Sequence, residues 1–176
     1  MFSVSSQANV VVSTMTRMGH TLSACESLTA GLFCATVANI PGASAVLTGG
    51  LVTYATPLKA VIGGVPQDVL ATNGPVSEVT VRHMAEHVKK TCLSDWGISL
   101  SGVAGPDMQD GHPVGEVWIG LARPDNSISA YLAGDLLTEA PQSVHRLLIG
   151  DRATIRHTAV SAALGLLIRE LSSYST

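Results

Sequence analysis

Three short runs made up mostly of apolar and small residues, 21–25, 97–103 and 116–122, alternate with stretches whose apolar residues recur at helical spacing. That alternation allows few folds. A run that stays apolar at successive positions reads as a strand buried on both faces, and such strands need helices above and below them. The clearest helix is predicted over 77–91, where Val81, Met84, Ala85, Val88 and Cys92 fall at i, i+3, i+4, i+7 and i+11. A first helix is expected over 7–18, and a second over 28–38, ended by Ile40-Pro41-Gly42. Residues 46–54 read as β-rich with a break at Gly49-Gly50, and Thr56-Pro57 offers an N-cap and a proline at the first helical position. Segments 127–132 and 143–149 read as further strands. Gly150-Asp151 opens a last helix with Ile155, Ala159, Ala162 and Leu166 on one face. The expected architecture is α/β: a single three-layer α/β/α domain over 1–176 with a mixed, mostly buried sheet.

The bulk properties narrow the function. Hydrophobic residues make up 46% of the chain and charged ones 13%, so it should fold around a core instead of remaining disordered. The net charge of −3, with no basic stripe, argues against a nucleic-acid partner. The three cysteines (Cys25, Cys34 and Cys92) are odd in number and lack CxxC spacing, so a disulfide framework is not expected and a reduced, cytoplasmic setting fits. The first residues, MFSVSSQANV, do not read as a signal peptide. The most apolar stretch, 159–168, is far shorter than the roughly 20 residues of a membrane span, so no membrane partner is expected.

Chemistry is suggested first by Glu26-Ser27-Leu28-Thr29-Ala30-Gly31, which puts a serine where a strand hands over to a helix. A hydroxyl at such a corner can be a nucleophile beside free helix N–H groups; serine is equally a favoured N-cap there. No GxSxG elbow surrounds it. Lys59 falls in the first turn of the helix opened by Pro57, where the helix dipole disfavours a positive charge. A partly desolvated lysine there would lose basicity and could act as a general base, whereas a solvated one would be inert. Tyr54 could orient that pair, share a proton with it, or fill the edge of the core. Ser101-Gly102-Val103-Ala104-Gly105-Pro106 leaves a buried strand with residues small enough for a ligand to approach the backbone, or for a tight turn. Arg152 and Arg156, one helical turn apart, could grip a phosphate or carboxylate, or pair with Asp151 and Glu170. His83-Met84-Ala85-Glu86-His87 fits the inverted zincin pattern, but both histidines lie roughly opposite the apolar stripe of their helix, which suits a solvated face better than a zinc site.

Taken in order, these pieces resemble the C-terminal domain of the competence/damage-inducible protein CinA. The landmarks are Glu26-Ser27 with Thr29 and Gly31, Pro41-Gly42-Ala43-Ser44, and Gly49-Gly50-Leu51-Val52-Thr53-Tyr54 with Lys59. They continue through Gly64-Val65-Pro66, Gly74-Pro75-Val76-Ser77-Glu78, Gly102-Val103-Ala104-Gly105-Pro106, Pro113-Val114-Gly115 and Gly150-Asp151-Arg152 with Ile155-Arg156.

The resemblance implies a nicotinamide-nucleotide amidase that converts nicotinamide mononucleotide to nicotinic acid mononucleotide and ammonia, with no metal and no cofactor. Ser27 would be the nucleophile, Lys59 its base and Tyr54 a supporting group, with N–H groups at the start of the 28–38 helix holding the oxyanion. Substrate contacts are implied at Glu26, Thr29, Gly31, Gly49 and Gly50. Gly102, Ala104 and Gly105 would lie against the nucleotide and Arg152 would take its phosphate. The chain departs from the family's pattern at Leu28 and Ala30, which add bulk beside the nucleophile, and at Ser101, which stands where threonine is usual. It departs again at 107–112, where Asp107 and Asp110 put two carboxylates near the expected path of an anionic substrate. The partners implied are a small-molecule nucleotide and further copies of the chain, as a homodimer or higher homo-oligomer. The pyrophosphatase-linked N-terminal domain of larger relatives is not expected here. The alternative is a CinA-like domain that binds a nucleotide or a protein partner without turning it over.

Overall fold

A computed structural model describes residues 3–137, 143–144 and 146–174. The chain opens with helix α1 (Val4–Met18), whose stripe Ala8, Val11, Val12 and Met15 is buried. Ser3 caps its start by accepting from the Ser6 N–H, and Gly19 ends it at φ 69°. Strand β1 (Leu22–Glu26) follows and is buried at every position, including the polar Ser23 and Glu26. Next come α2 (Leu32–Ala38), β2 (Leu47–Val52), α3 (Thr56–Val61), α4 (Gln67–Asn73) and α5 (Glu78–Thr91). Strands β3 (Trp96–Gly102), β4 (Val117–Ala122) and β5 (Ile128–Leu132) complete the main sheet. A small hairpin, β6 (Ser143–Val144) and β7 (Leu147–Leu148), precedes the long helix α6 (Arg152–Tyr174).

The sheet runs β2-β1-β3-β4-β5, with β1 parallel to both neighbours and β3, β4 and β5 antiparallel in turn. Helices α1, α2 and α6 pack together on one face and α5 covers the other, which gives the expected three layers and mixed sheet. The α5 stripe Val81, Met84, Ala85 and Val88 is buried against that second face. Small residues let α5 come close. A Cβ at Gly120 would lie 2.2 Å from the Val81 carbonyl oxygen, and Ser99 Oγ donates to the same oxygen at 2.6 Å. The α6 residues Ile155, Ala159, Ala162 and Leu166 are buried as their spacing predicts, with Val160, Ala163, Leu164 and Leu167 buried beside them.

Three expectations need correction, and one helix is new. Helix α2 begins at Leu32, not at residue 28, because Ala30 (φ 50°) and Gly31 (φ 92°) take left-handed conformations that a helix cannot continue through. The N-cap of α3 is Ala55, with Thr56 and Pro57 already inside the helix. Residues 143–149 form two strands of a hairpin instead of one strand, with Arg146 at φ 71° in the turn and His145 outside the described residues. Helix α4 lacks a long apolar stripe and was not anticipated; it buries none of its residues fully.

The parallel trio fixes where a site can form. From β1 the chain passes through α2 to β2 on one side, then returns through α3, α4 and α5 to β3 on the other. The carboxyl end of β1 is therefore a topological switch point, where the two connections diverge and leave a crevice. Glu26 is the last residue of β1, and Ser27 stands in that crevice.

Candidate active site

Ser27 is held at the strand end by neighbours on both sides. Its N–H donates to the Leu100 carbonyl of β3 at 2.9 Å, while the Glu26 carbonyl accepts from the Thr53 N–H beyond β2 at 2.8 Å. The chain then turns sharply, with the Ala30 N–H donating to the Ser27 carbonyl at 3.1 Å and the Leu32 N–H to the Thr29 carbonyl at 3.1 Å. Lys59 enters from α3. Its Nζ donates to Ser27 Oγ at 2.8 Å and to the Thr53 carbonyl at 3.3 Å. Ser27 is 6% exposed and Lys59 2%, so the pair is nearly sealed from bulk water.

Burial disfavours the charged ammonium and lowers the Lys59 pKa to about 8, against smaller raising influences from Cys25 and Asp110. No carboxylate lies in direct contact with Nζ among the described residues. A lysine in this state is a usable base near neutral pH, and its partner is a serine hydroxyl. That arrangement suits proton abstraction from Ser27 during attack on a carbonyl carbon.

The pair opens into a cavity of about 340 Å³. Its walls are Ser27, Leu28, Tyr54, Ala55, Thr56, Lys59, Pro75, Val76, Ser101, Gly102, Ala104, Gln109 and Arg152. Arg152 bridges two loops, donating to the Gly105 carbonyl at 2.7 Å and to the Tyr54 hydroxyl. Ser27, Lys59, Tyr54, Gly102, Ala104, Gly105 and Arg152 are thus brought together. Tyr54, however, hydrogen-bonds Arg152 and neither member of the Ser27–Lys59 pair, so its hydroxyl is directed away from the proton path expected of it.

Glu26, Thr29, Gly31, Gly49 and Gly50 stand apart from the cavity walls. Glu26 is 1% exposed, and its carboxylate accepts from the N–H groups of Gly31, Phe33 and Cys34 at 3.0, 3.0 and 2.9 Å. It fills the start of α2 from within, so that helix end has no room for an oxyanion. Thr29 is fully buried and its hydroxyl has no partner among the described residues. Gly31 supplies the left-handed turn. Gly49 and Gly50 serve packing: a Cβ at Gly50 would sit 2.5 Å from Cys34 Sγ, and one at Gly49 3.1 Å from Cys92 Sγ.

Several contributors carried little signal in the sequence. Thr53 acts through its backbone carbonyl, which no side-chain motif reports. Pro75, Val76 and Gln109 reach the cavity only because the loops after α4 and β3 fold over it. The 107–112 segment presents Gln109 to the cavity, while Asp110 sits in a tight turn at φ 52° closed by the Gln109–His112 backbone pair. Arg156 grips no vacant anion site: its Nε donates to the Leu28 carbonyl at 2.9 Å and its Nη2 to the Thr29 carbonyl at 2.7 Å. Glu170 pairs with Arg123 instead, at 2.8 Å. On α5, His87 Nε2 lies 3.2 Å from Thr91 Oγ1, and Glu86 is ion-paired with Lys90 at 2.5 Å. Among the described residues, no group of three metal-ligating side chains converges there or elsewhere. Nor is any described helix long and apolar enough to cross a membrane.

Known proteins share this framework. A family model described as the CinA C-terminal domain matches residues 4–171. A Streptococcus pneumoniae protein described as competence-damage inducible is 45% identical over 170 residues, covering 96% of this chain and 37% of that protein. The chain therefore spans well under half the length of the curated relatives it matches. The structure of CihA, a competence/damage inducible protein from Agrobacterium tumefaciens, superposes with a TM-score of 0.83 at 27% identity, covering 98% of this chain and 97% of that one. The competence damage-inducible protein A of Klebsiella pneumoniae gives a TM-score of 0.85 at 24% identity over 98% and 99%, a likeness of fold.

Proposed function

The chain belongs to the CinA C-terminal domain family, and on that premise we propose that it is a serine amidase. Its substrate in this reading is nicotinamide mononucleotide, hydrolysed to nicotinic acid mononucleotide and ammonia. The observation that carries the reading is the 2.8 Å contact between Lys59 Nζ and Ser27 Oγ, both buried at the base of the cavity wall.

In the neutral state, Lys59 takes the Ser27 hydroxyl proton as Oγ bonds to the carboxamide carbon and the carbonyl electrons move to oxygen. The tetrahedral adduct collapses as the C–N bond breaks. The Lys59 ammonium returns a proton to the departing nitrogen, which leaves as ammonia. Water then attacks the acyl ester, giving its proton to Lys59, and as the ester C–O bond breaks Lys59 returns that proton to Ser27 Oγ, which releases the carboxylic acid and restores both residues. The Thr53 carbonyl, 3.3 Å from Nζ, holds the amine in place in both protonation states. Arg152 supports an anionic substrate: it lines the cavity, and no described carboxylate pairs with its guanidinium. A reduced cytoplasmic setting belongs to the same reading and is supported by three free cysteines. Assembly as a homodimer is supported by the exposed apolar side chains Leu58, Val61 and Ile62 around α3.

The test is release of ammonia and nicotinic acid mononucleotide from nicotinamide mononucleotide, with Ser27→Ala and added chelator run alongside. Turnover that disappears in Ser27→Ala and ignores chelator is the expected result. A folded wild type that releases no ammonia overturns the substrate assignment, and full activity in Ser27→Ala overturns the nucleophile.

A further inference from the structure

The start of α2 is closed by Glu26, so the oxyanion that Ser27 would generate needs other donors. Beside the nucleophile, the Leu28 N–H donates to no described group. Leu28 directly follows Ser27 and lines the cavity, the position from which the residue after a nucleophile commonly supplies an oxyanion N–H.

The geometry points to Arg156 as the positioning residue that holds this turn so that the Leu28 N–H, on the cavity wall, serves as an oxyanion donor. Its guanidinium takes the Leu28 and Thr29 carbonyls at 2.9 and 2.7 Å across 128 and 127 residues of sequence. A peptide unit is planar and trans, with C=O and N–H on opposite sides. Fixing the Thr29 carbonyl turns the Ala30 N–H onto the Ser27 carbonyl, where it donates at 3.1 Å. With that carbonyl engaged, the Leu28 N–H is directed to the opposite side of its own peptide.

Arg156 is half-buried, and no described carboxylate pairs with it. The assignment rests on the serine-nucleophile reading but not on the choice of amide.

The experiment follows Ser27 by two routes. One is turnover of nicotinamide mononucleotide. The other is phosphonylation of Ser27 by a fluorophosphonate, which forms the Oγ–P bond as fluoride leaves, passes the hydroxyl proton to Lys59, and needs no amide. For Arg156→Ala we expect kcat and the phosphonylation rate to fall about 10- to 100-fold, somewhat less than loss of a direct oxyanion donor. KM should stay within about threefold, because the lost interaction is made in the transition state. Arg156→Lys, which keeps the charge and one donor, should recover part of the loss and also serves if the alanine variant folds poorly. Millimolar methylguanidinium should partly rescue Arg156→Ala and leave Ser27→Ala inert.

Wild-type rates in Arg156→Ala would overturn the assignment. So would a loss that tracks the fall in folded fraction and ignores methylguanidinium, or a wild-type Ser27 inert to the fluorophosphonate. A wild type that is phosphonylated but releases no ammonia would remove the substrate assignment alone, and the Arg156 comparison would then be read from phosphonylation.

Discussion

Lys59 Nζ lies 2.8 Å from Ser27 Oγ across 32 residues of sequence, and both residues are buried where the carboxyl ends of β1 and β2 meet α3. A charged ammonium in that position has lost most of its hydration and gains only a hydroxyl and a carbonyl in return. The resulting drop in basicity to about 8 is what couples the fold to the proposed chemistry.

The first consequence is a pH profile. Only neutral Lys59 can take the Ser27 proton, so kcat/KM for nicotinamide mononucleotide should rise with pH and level off with a midpoint near 8. A profile that is flat between pH 6 and 9 would separate Lys59 from the rate-determining proton transfer.

The same burial opposes folding. The Lys59 pKa is about 8 in the folded chain against 10.5 for an ordinary lysine, so the unfolded chain binds more protons between those values and stability rises with pH there. The destabilisation is fully present below pH 8 and is relieved as pH approaches 10.5. Lys59→Met should abolish turnover yet be more stable at pH 7, by about 1–2 kcal/mol once the unpaired Ser27 and Thr53 oxygens are counted. Urea denaturation at pH 7 and pH 9.5 should show that advantage narrowing as pH rises.

Glu26 should behave as a structural residue. Its carboxylate satisfies three N–H groups at the start of α2, and Glu26→Ala would leave them buried without an acceptor. The expected loss is about 3 kcal/mol in chemical denaturation. A raised KM in Glu26→Ala with unchanged stability would instead return Glu26 to substrate binding, as the family resemblance implies.

Tyr54 offers a separate test of the proton path. Its hydroxyl contacts Arg152 and not the Ser27–Lys59 pair. Tyr54→Phe should therefore leave the pH midpoint in place and raise KM by about 3- to 10-fold, the effect of one hydrogen bond lost from the Arg152 wall. A shifted midpoint in the pH–rate curve would mean that Tyr54 takes part in proton transfer.

The elements legible in advance are those whose pattern is repetitive. The stripe Val81, Met84, Ala85 and Val88 marked α5, and the unbroken runs at 21–25 and 97–103 marked β1 and β3, because burial of a periodic face leaves a periodic trace. Helix α4 left none, since it buries no residue fully. The turn at 27–31 was hidden for a different reason. Its sequence is compatible with a helix, and the left-handed Ala30 is held by bonds from Arg156 and Glu26 that only folding creates.

The sequence alone determined the α/β class, the residue types of the candidate pair and the family pattern that joins Ser27 to Lys59. The tertiary structure decided which side chains face the cavity. It gave the Glu26 carboxylate to a helix end, Gly49 and Gly50 to packing, the Tyr54 hydroxyl to Arg152, and Arg156 to the turn after the nucleophile. Local preference and periodicity act over a few residues and are written in order along the chain. Hydrogen bonds and loss of solvent act over a few ångströms, between groups as far apart as Leu28 and Arg156, and exist only once the layers have closed.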